Sequence, residues 1–504
     1  MVKIALFMSA IFLVNNPVEA QRQKKGLIIK AKYQEAIPQL PGATLLRGNV
    51  RIKDPNNNTI VGCERAIYWP SDNRFKGYRK VKIKKGKDLK IKADSMHYIG
   101  NGKEVANIYG NVKMLKGDII LSTSAIKYDF GKNVAHYTTG GTIINRKNDN
   151  KLSSKIGYYY GANENMYFRD NVLLTNPDYN IKCDSLQFMS KEEKAVFTGP
   201  TWITSKDSSS IYCEAGWYKT EEQIAQFNKN AMIESKDQVM KGDHIYYVEE
   251  TKFGRIEGNV EVIDTSNKII LNGDFATYNG LSKSYLITGN AVMTQIYETD
   301  SLFLHGDTLK SISDTINDTH KLFAYNRVRF YKSDLQGTCD SLLYDETDSL
   351  LKLYRSPILW SDENQISGDS ISILNYDGKI DRIFINYNAM IISQEDSTEF
   401  NQIRGKRMTG FFNENELSKV DVRGSGETVY YATGDDGEKI GLNRTVGSDL
   451  VIHIKENKIN NISFLSQVTA TMYPSDQVNE KDRELKGFHW SIDQRPLNRM
   501  DILK

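Results

Sequence analysis

The chain has 504 residues and carries 66 Lys+Arg against 63 Asp+Glu, so it is no nucleic-acid-binding polycation. Its 28 tyrosines against only 10 prolines suit strands joined by Gly, Asn and Asp turns. Beyond the first twenty residues, no stretch approaches the ~20 apolar residues that a membrane helix needs.

Residues 1–20 read as a cleavable signal peptide. Lys3 supplies the positive start, residues 4–14 are apolar, and Val18-Glu19-Ala20 is a small-residue cleavage site that leaves Gln21 at the mature terminus. A lead-in follows over 21–45.

From 46 to 474 one phrase returns about every 30 residues, as in VGCERAIY, IKADSMHY, IKCDSLQF and LNGDFATY. A small residue marks each copy: Cys63, Ala93, Thr123, Ser154, Cys183, Cys213, Gly242, Gly273, Gly306, Cys339, Gly368 and Gly405, spaced 29 to 37 residues apart. Such a period signals stacked units that bury their apolar faces on one another. Two residues before the mark stands an apolar residue, on the same strand face by the period of two. One residue after the mark an acid is usual, as at Glu64, Asp94 and Asp274; five after it an aromatic recurs, as at Tyr98, Tyr128 and Tyr278. Five is odd, so the aromatic returns to the interior only if a bulge or corner intervenes. Gly-Asn pairs such as Gly110-Asn111 and Gly258-Asn259 read as tight turns that open each unit. Residues 433–444 read as an insertion. Residues 475–504 lack the repeat and read as a cap, a docking tail or a disordered segment. The fold class expected is all-β, an elongated repeat β-jellyroll or flattened β-solenoid, open at both sheet ends.

Chemistry is scarce in this pattern. The seven histidines share no column and show no metal or catalytic spacing, so neither catalytic nor metal-ligating residues, nor any cofactor, are expected. The acids recur evenly, as a structural role predicts, and read best as a solvated face or as acceptors for nearby turns. The cysteines fill the small-residue column, and Cys183 and Cys213 stand in adjacent repeats; free thiols are favoured over a bond between them. Between Arg74 and Lys92 ten cations accompany a single acid, Asp88. Lys80, Lys82 and Lys84 alternate there with Val81 and Ile83. This is a soluble outer face or a contact for anionic lipid or phosphate.

The G-N-V openings and the L-x-A-D-x-x-x-Y-like centres, clearest over 108–129 and 256–280, resemble the LptA/OstA family of lipopolysaccharide-transport proteins, with a likeness that extends over about 46–474. The resemblance implies a twisted, partly open β-jellyroll with an apolar groove for acyl chains. It implies no enzyme but a periplasmic bridge that carries lipopolysaccharide toward the outer membrane. LptC-like and LptD-like components would join it by edge-strand pairing. The inward column that would touch acyl chains is Ile91, Leu121, Leu152, Ile181, Ile211, Leu271 and Leu304, with Phe275. Arg79, Lys80, Lys82 and Lys84 would meet lipid phosphates. Arg65 and Arg407, at inward sites by simple alternation, would interrupt the groove. The implied address is the periplasm, with the outer membrane as a second point of association. The alternative is a secreted scaffold or adhesin whose interior is filled by its own side chains; a polysaccharide-active β-helix is the third reading.

Overall fold

The structure, a computed structural model, describes residues 26–504 apart from 56–57, 101, 148, 207, 315–318, 377–378, 414–415, 435–438 and 456–457. The signal-peptide reading at 1–20 therefore lies outside the described residues. The chain divides into two compact units, Met1–Arg169 and Asp170–Lys504. Both are all-β, and the described strands number 34, paired antiparallel throughout.

One repeat is one hairpin of two long strands. In the first unit, Arg74–Lys85 pairs with Leu89–Ile99, which pairs with Val105–Lys116, which pairs with Ile119–Asp129. Each pairing slips once near its middle, as between Tyr78 and Val81 or between Lys92 and Ser95. At that slip every second strand carries two consecutive left-handed residues: Gly48 (φ 76°) and Asn49 (47°), Arg79 (62°) and Lys80 (49°), Gly110 (74°) and Asn111 (45°). The second unit repeats the device at Gly258 and Asn259, Gly289 and Asn290, Asn326 and Arg327, and Tyr387 and Asn388. The Gly-Asn pairs are thus corners in mid-strand, not turns between strands. Their residues tolerate positive φ in either setting, but here hydrogen bonding continues on both sides of them. The hairpin reversals are the other polar clusters, such as Lys116-Gly117-Asp118.

Because each strand bends at its corner, its two halves belong to two facing layers. The corners form one seam of the jellyroll and the hairpin turns line the other. Core residues come from both halves: Ile52, Ile83 and Ile91 from one layer, and Phe75, Met96 and Ile108 from the other, in one cluster of the first unit. A corresponding cluster fills the second unit, from Cys213 to Ile452.

The described residues of the stretch 433–444 are no separate insertion: 433 and 439–444 lie in two unusually long strands, Glu416–Thr433 and Lys439–Lys455, whose outer ends pair from Tyr430 with Asn443 to Thr433 with Lys439. The tail after Pro474 contains four short 3-10 turns and lies on the outer face of one layer of the second unit. There it covers Met390, Ile392, Val429, Tyr431 and Leu442 with Leu485, Phe488 and Trp490. Three buried glutamines on that face hold it. Gln402 donates to the Arg483 carbonyl (2.7 Å) and accepts from the Leu485 amide (2.8 Å). Gln365 does the same with the His489 carbonyl (2.7 Å) and the Ser491 amide (2.8 Å). Gln336 accepts from Arg495 Nε (2.8 Å). A side-chain amide that pairs with residues i and i+2 imitates a neighbouring strand, so the tail is held as a strap.

Candidate functional site: the inward rows and their seam

The small mark follows from the corner. Its residue faces inward where the opposite layer approaches most closely. A Cβ on Gly273 would collide with Ile287, and one on Gly368 would meet Ile385 Cγ2 at 2.7 Å. Where the mark is larger the partner shrinks: a Cβ on Gly77 would sit 3.4 Å from Cys63 Sγ. All four cysteines occupy this column as free, buried thiols. Thr201 stands between Cys183 and Cys213 in the register, so the two are a full two strands apart, near 10 Å. Burial pushes their thiols up, Cys183 to about 12 and Cys213 to about 11.

The recurring acid has a specific partner. After the slip it faces outward and accepts a hydrogen bond from the corner of the next strand. Asn111 Nδ2 donates to Asp94 (2.8 Å), Asn259 to Asp243 (2.9 Å), Asn290 to Asp274 (3.1 Å) and Asn388 to Asp369 (2.9 Å). Where asparagine is replaced, a cation takes over: Lys80 to Glu64 (2.7 Å), Arg327 to Asp307 (2.7 Å), Arg355 to Asp340 (3.2 Å). The hydrogen bond from Lys80, and then its charge, holds the Glu64 carboxyl below its usual range. These carboxylates clip corners, which accounts for their even spacing. Among the described residues no group of three or more His, Cys, Asp or Glu is placed to hold a metal ion.

The apolar positions before the mark form continuous rows in direct register. In the first unit the row runs Ile52, Val61, Ile83, Ile91, Met114, Leu121, Ile143, Leu152. In the second it runs Ile181, Ile203, Ile211, Ile233, Met240, Val262, Leu271, Met293, Leu304, Phe330, ten strands in succession. At ~4.8 Å per strand that row is about 43 Å long. The slip also returns the aromatics to the interior: Tyr98 and Tyr128 are 3 % and 2 % exposed. Small residues alternate with them across the sheet, Ala106 beside Tyr98 and Ala135 beside Tyr128. The same alternation recurs with Ala225 beside Tyr218 and Gly254 beside Tyr247. This pairing of large with small was present in the sequence but spans two half-strands, so no single repeat displays it.

Seven of the eight inward residues read from the sequence stand in these rows. Ile91, Leu121, Leu152, Ile181 and Leu304 are buried, while Ile211 and Leu271 are half-buried. Phe275 does not belong with them. The slip falls between Asn272 and Phe275, and the next inward residue is the buried Ala276, so Phe275 lies in the outward row beside Glu257 and Thr288. The same slip turns Arg65 and Arg407 outward, where both are exposed, and neither interrupts the interior. Arg79, Lys80, Lys82 and Lys84 are exposed as well. Arg79 and Lys80 form a corner, and the sheet itself separates Lys82 and Lys84 from the interior.

The two units differ at the turn-lined seam. In the first, polar bridges close it: Tyr98 Oη donates to Asp54 (2.5 Å), Lys85 Nζ to the Phe130 carbonyl (2.9 Å), and Lys116 Nζ to Glu164 (2.8 Å) and to Tyr159. Burial lowers the Lys85 pKa, against the pull of Glu104 and Asp129. For Lys116 burial acts downward too, but the Glu164 and Tyr159 hydrogen bonds outweigh it and the net shift is upward. A cleft of about 310 Å³ lined by Lys85, Lys87, Lys116, Tyr128 and Tyr159 lies at this seam. In the core of the same unit, the void between Ile52, Val61, Phe75, Met96 and Tyr98 is only about 10 Å³, room for one water. In the second unit the seam-side residues Ile203, Ile211, Ile233, Met240, Leu271, Tyr218, Tyr247 and Tyr278 are all half-buried. Here the apolar lining reaches solvent along several successive hairpins.

No curated protein matches the chain. Among solved structures, the crystal structure of LptH, the LptA-homologous periplasmic component of the conserved lipopolysaccharide transport device from Pseudomonas aeruginosa, is 12 % identical, with 22 % of this chain and 85 % of that chain covered and a TM-score of 0.21. Residues 29–184 match the model of the OstA-like protein family.

Proposed function

We propose that this chain is a periplasmic carrier that holds lipopolysaccharide by its acyl chains and passes it toward the outer membrane. The observation that carries the proposal is the row from Ile181 to Phe330, unbroken in register and half-open along its seam. An aligned apolar row offers every position along it nearly the same environment, so an acyl chain moves between equivalent sites without leaving a deep well. The match of residues 29–184 to the OstA-like family model supports the same cargo class. The chemistry required is transfer from water to an apolar wall, which calls for no nucleophile, acid or base. The terminal strands Tyr33–Ala36 and Thr469–Pro474 are almost wholly exposed, which supports docking of LptC-like and LptD-like partners by strand addition.

The test is native mass spectrometry of the purified protein after exposure to lipopolysaccharide, with wild type beside Leu271→Trp, Ile211→Trp and Asp274→Asn. Filling the half-open row with either indole is expected to reduce bound lipid at least tenfold, while Asp274→Asn retains it. A protein that takes up no lipid, or variants that bind equally, would overturn the proposal. The filled interior of the first unit favours a second role for that unit alone, as a rigid scaffold.

A further inference from the structure

The outer face of one layer in the first unit carries two rows of cations in strand register. One row is Lys30, Arg51, Gly62, Lys82, Lys92 and Lys113. The other, two residues along, is Ile28, Lys53, Ile60, Lys84, Lys90, Leu115, Ile120 and Ile144. The eight cations are exposed, and no carboxylate occupies any position of either row. Like charges placed opposite each other on neighbouring strands destabilise a sheet, so folding alone gives no reason for Lys82 beside Lys92 beside Lys113. Mixed with them are aliphatic side chains left in water: Ile28 is 51 % exposed, and Ile60 and Ile144 are each 41 % exposed.

The array crosses six strands, about 24 Å, with its two rows about 7 Å apart. A single phosphate would use two or three converging cations in a concavity. Two parallel rows that carry eight cations between them, with exposed isoleucines in the second, match an extended surface of negative charge with an apolar layer beneath it. We infer that this face of the first unit docks on the surface of an anionic lipid bilayer, its lysines on headgroup phosphates and Ile28, Ile60 and Ile144 at the acyl boundary. Arg79 takes no part in either row, and the Lys80 charge is committed to Glu64. The inference is independent of what the interior carries, since the sheet lies between the two.

The test is sedimentation of the whole protein with phosphatidylglycerol-containing vesicles and with neutral phosphatidylcholine vesicles, at low and at high salt. Binding is expected to the anionic vesicles only and to weaken steeply with salt. The triple variant Lys82→Ser, Lys92→Ser, Lys113→Ser is expected to lose about a hundredfold in vesicle affinity. A control with the same change of net charge, Lys103→Ser, Lys132→Ser, Lys191→Ser, is expected to lose far less; all three of its lysines are exposed and outside the rows. Ile60→Ser should weaken binding at high salt, where the electrostatic part is screened. Thermal melts confirm that each variant is folded. Equal losses in the two triple variants would reduce the effect to net charge and overturn the inference. So would binding to neutral vesicles, or full competition by millimolar inorganic phosphate, which would make the face a site for a soluble anion.

Discussion

At the scale of the residue, the corner is where sequence and geometry meet most tightly. Gly258 has φ +71°, and a Cβ there would also strike the Asp243 carboxylate that clips the corner. Gly117, in a hairpin turn, has φ +56° with nothing within 4 Å. Gly258→Ala should therefore cost more than Gly117→Ala, about 3 kcal/mol against about 1 kcal/mol, as read from denaturant midpoints. Equal costs would mean that the carboxylate moves aside freely. The buried thiols give a second prediction. Burial raises Cys63 and Cys213 to about 11 and Cys183 and Cys339 to about 12 from an ordinary 9.0. Above pH 9 the unfolded chain releases protons that the folded chain keeps, so the unfolded state gains stability. Folding free energy should stay level with respect to these groups up to about pH 8 and fall between 9 and 12. Native protein should also resist thiol alkylation at pH 8 until it is unfolded. Fast alkylation of all four in the folded state would contradict the burial.

At the scale of the element, much of the repeat was legible. The apolar residue before Ala93 and the small mark itself both obey a local rule, a period of two within five residues. The slip was legible only indirectly, because Tyr98 stands at an odd spacing from Ala93. What alternation cannot supply is the position of the slip, and Phe275, Arg65 and Arg407 all fall just after it; simple alternation places each one row off for that single reason. Gly110-Asn111 reads as a turn and is a corner, because left-handed residues suit a reversal and a corner alike. The strap was not legible at all, since Gln336, Gln365 and Gln402 lie 81 to 159 residues from the tail groups they bind. Its energetics are testable. Gln402→Ala leaves the Arg483 carbonyl and the Leu485 amide without their partner and should cost about 2–3 kcal/mol. Removal of 483–504 should expose Ile392, 0 % exposed in the intact chain, together with Met390. It should then raise binding of an apolar dye with little change in strand content by circular dichroism. No rise in dye binding would mean that another segment covers that face.

At the scale of the whole molecule, the described strands pair with strands no more than three places away in sequence, and the strap reaches much farther back. That arrangement sets an order in time. Hairpins can close one after another as the chain emerges, each on the edge left by the last, because no contact waits for a distant residue. The strap reverses the rule. It is made after the strands it covers, and it runs back over strands as early as Thr319–Tyr331, where Arg329 donates to the Asp501 carbonyl across 172 positions. It can seat only after all the hairpins from there to Lys439–Lys455 have formed in register, because a one-residue error in any of them would move its glutamine to the wrong face. A seated strap thus certifies a finished jellyroll, and protease resistance of 483–504 during refolding should be the final signal to appear.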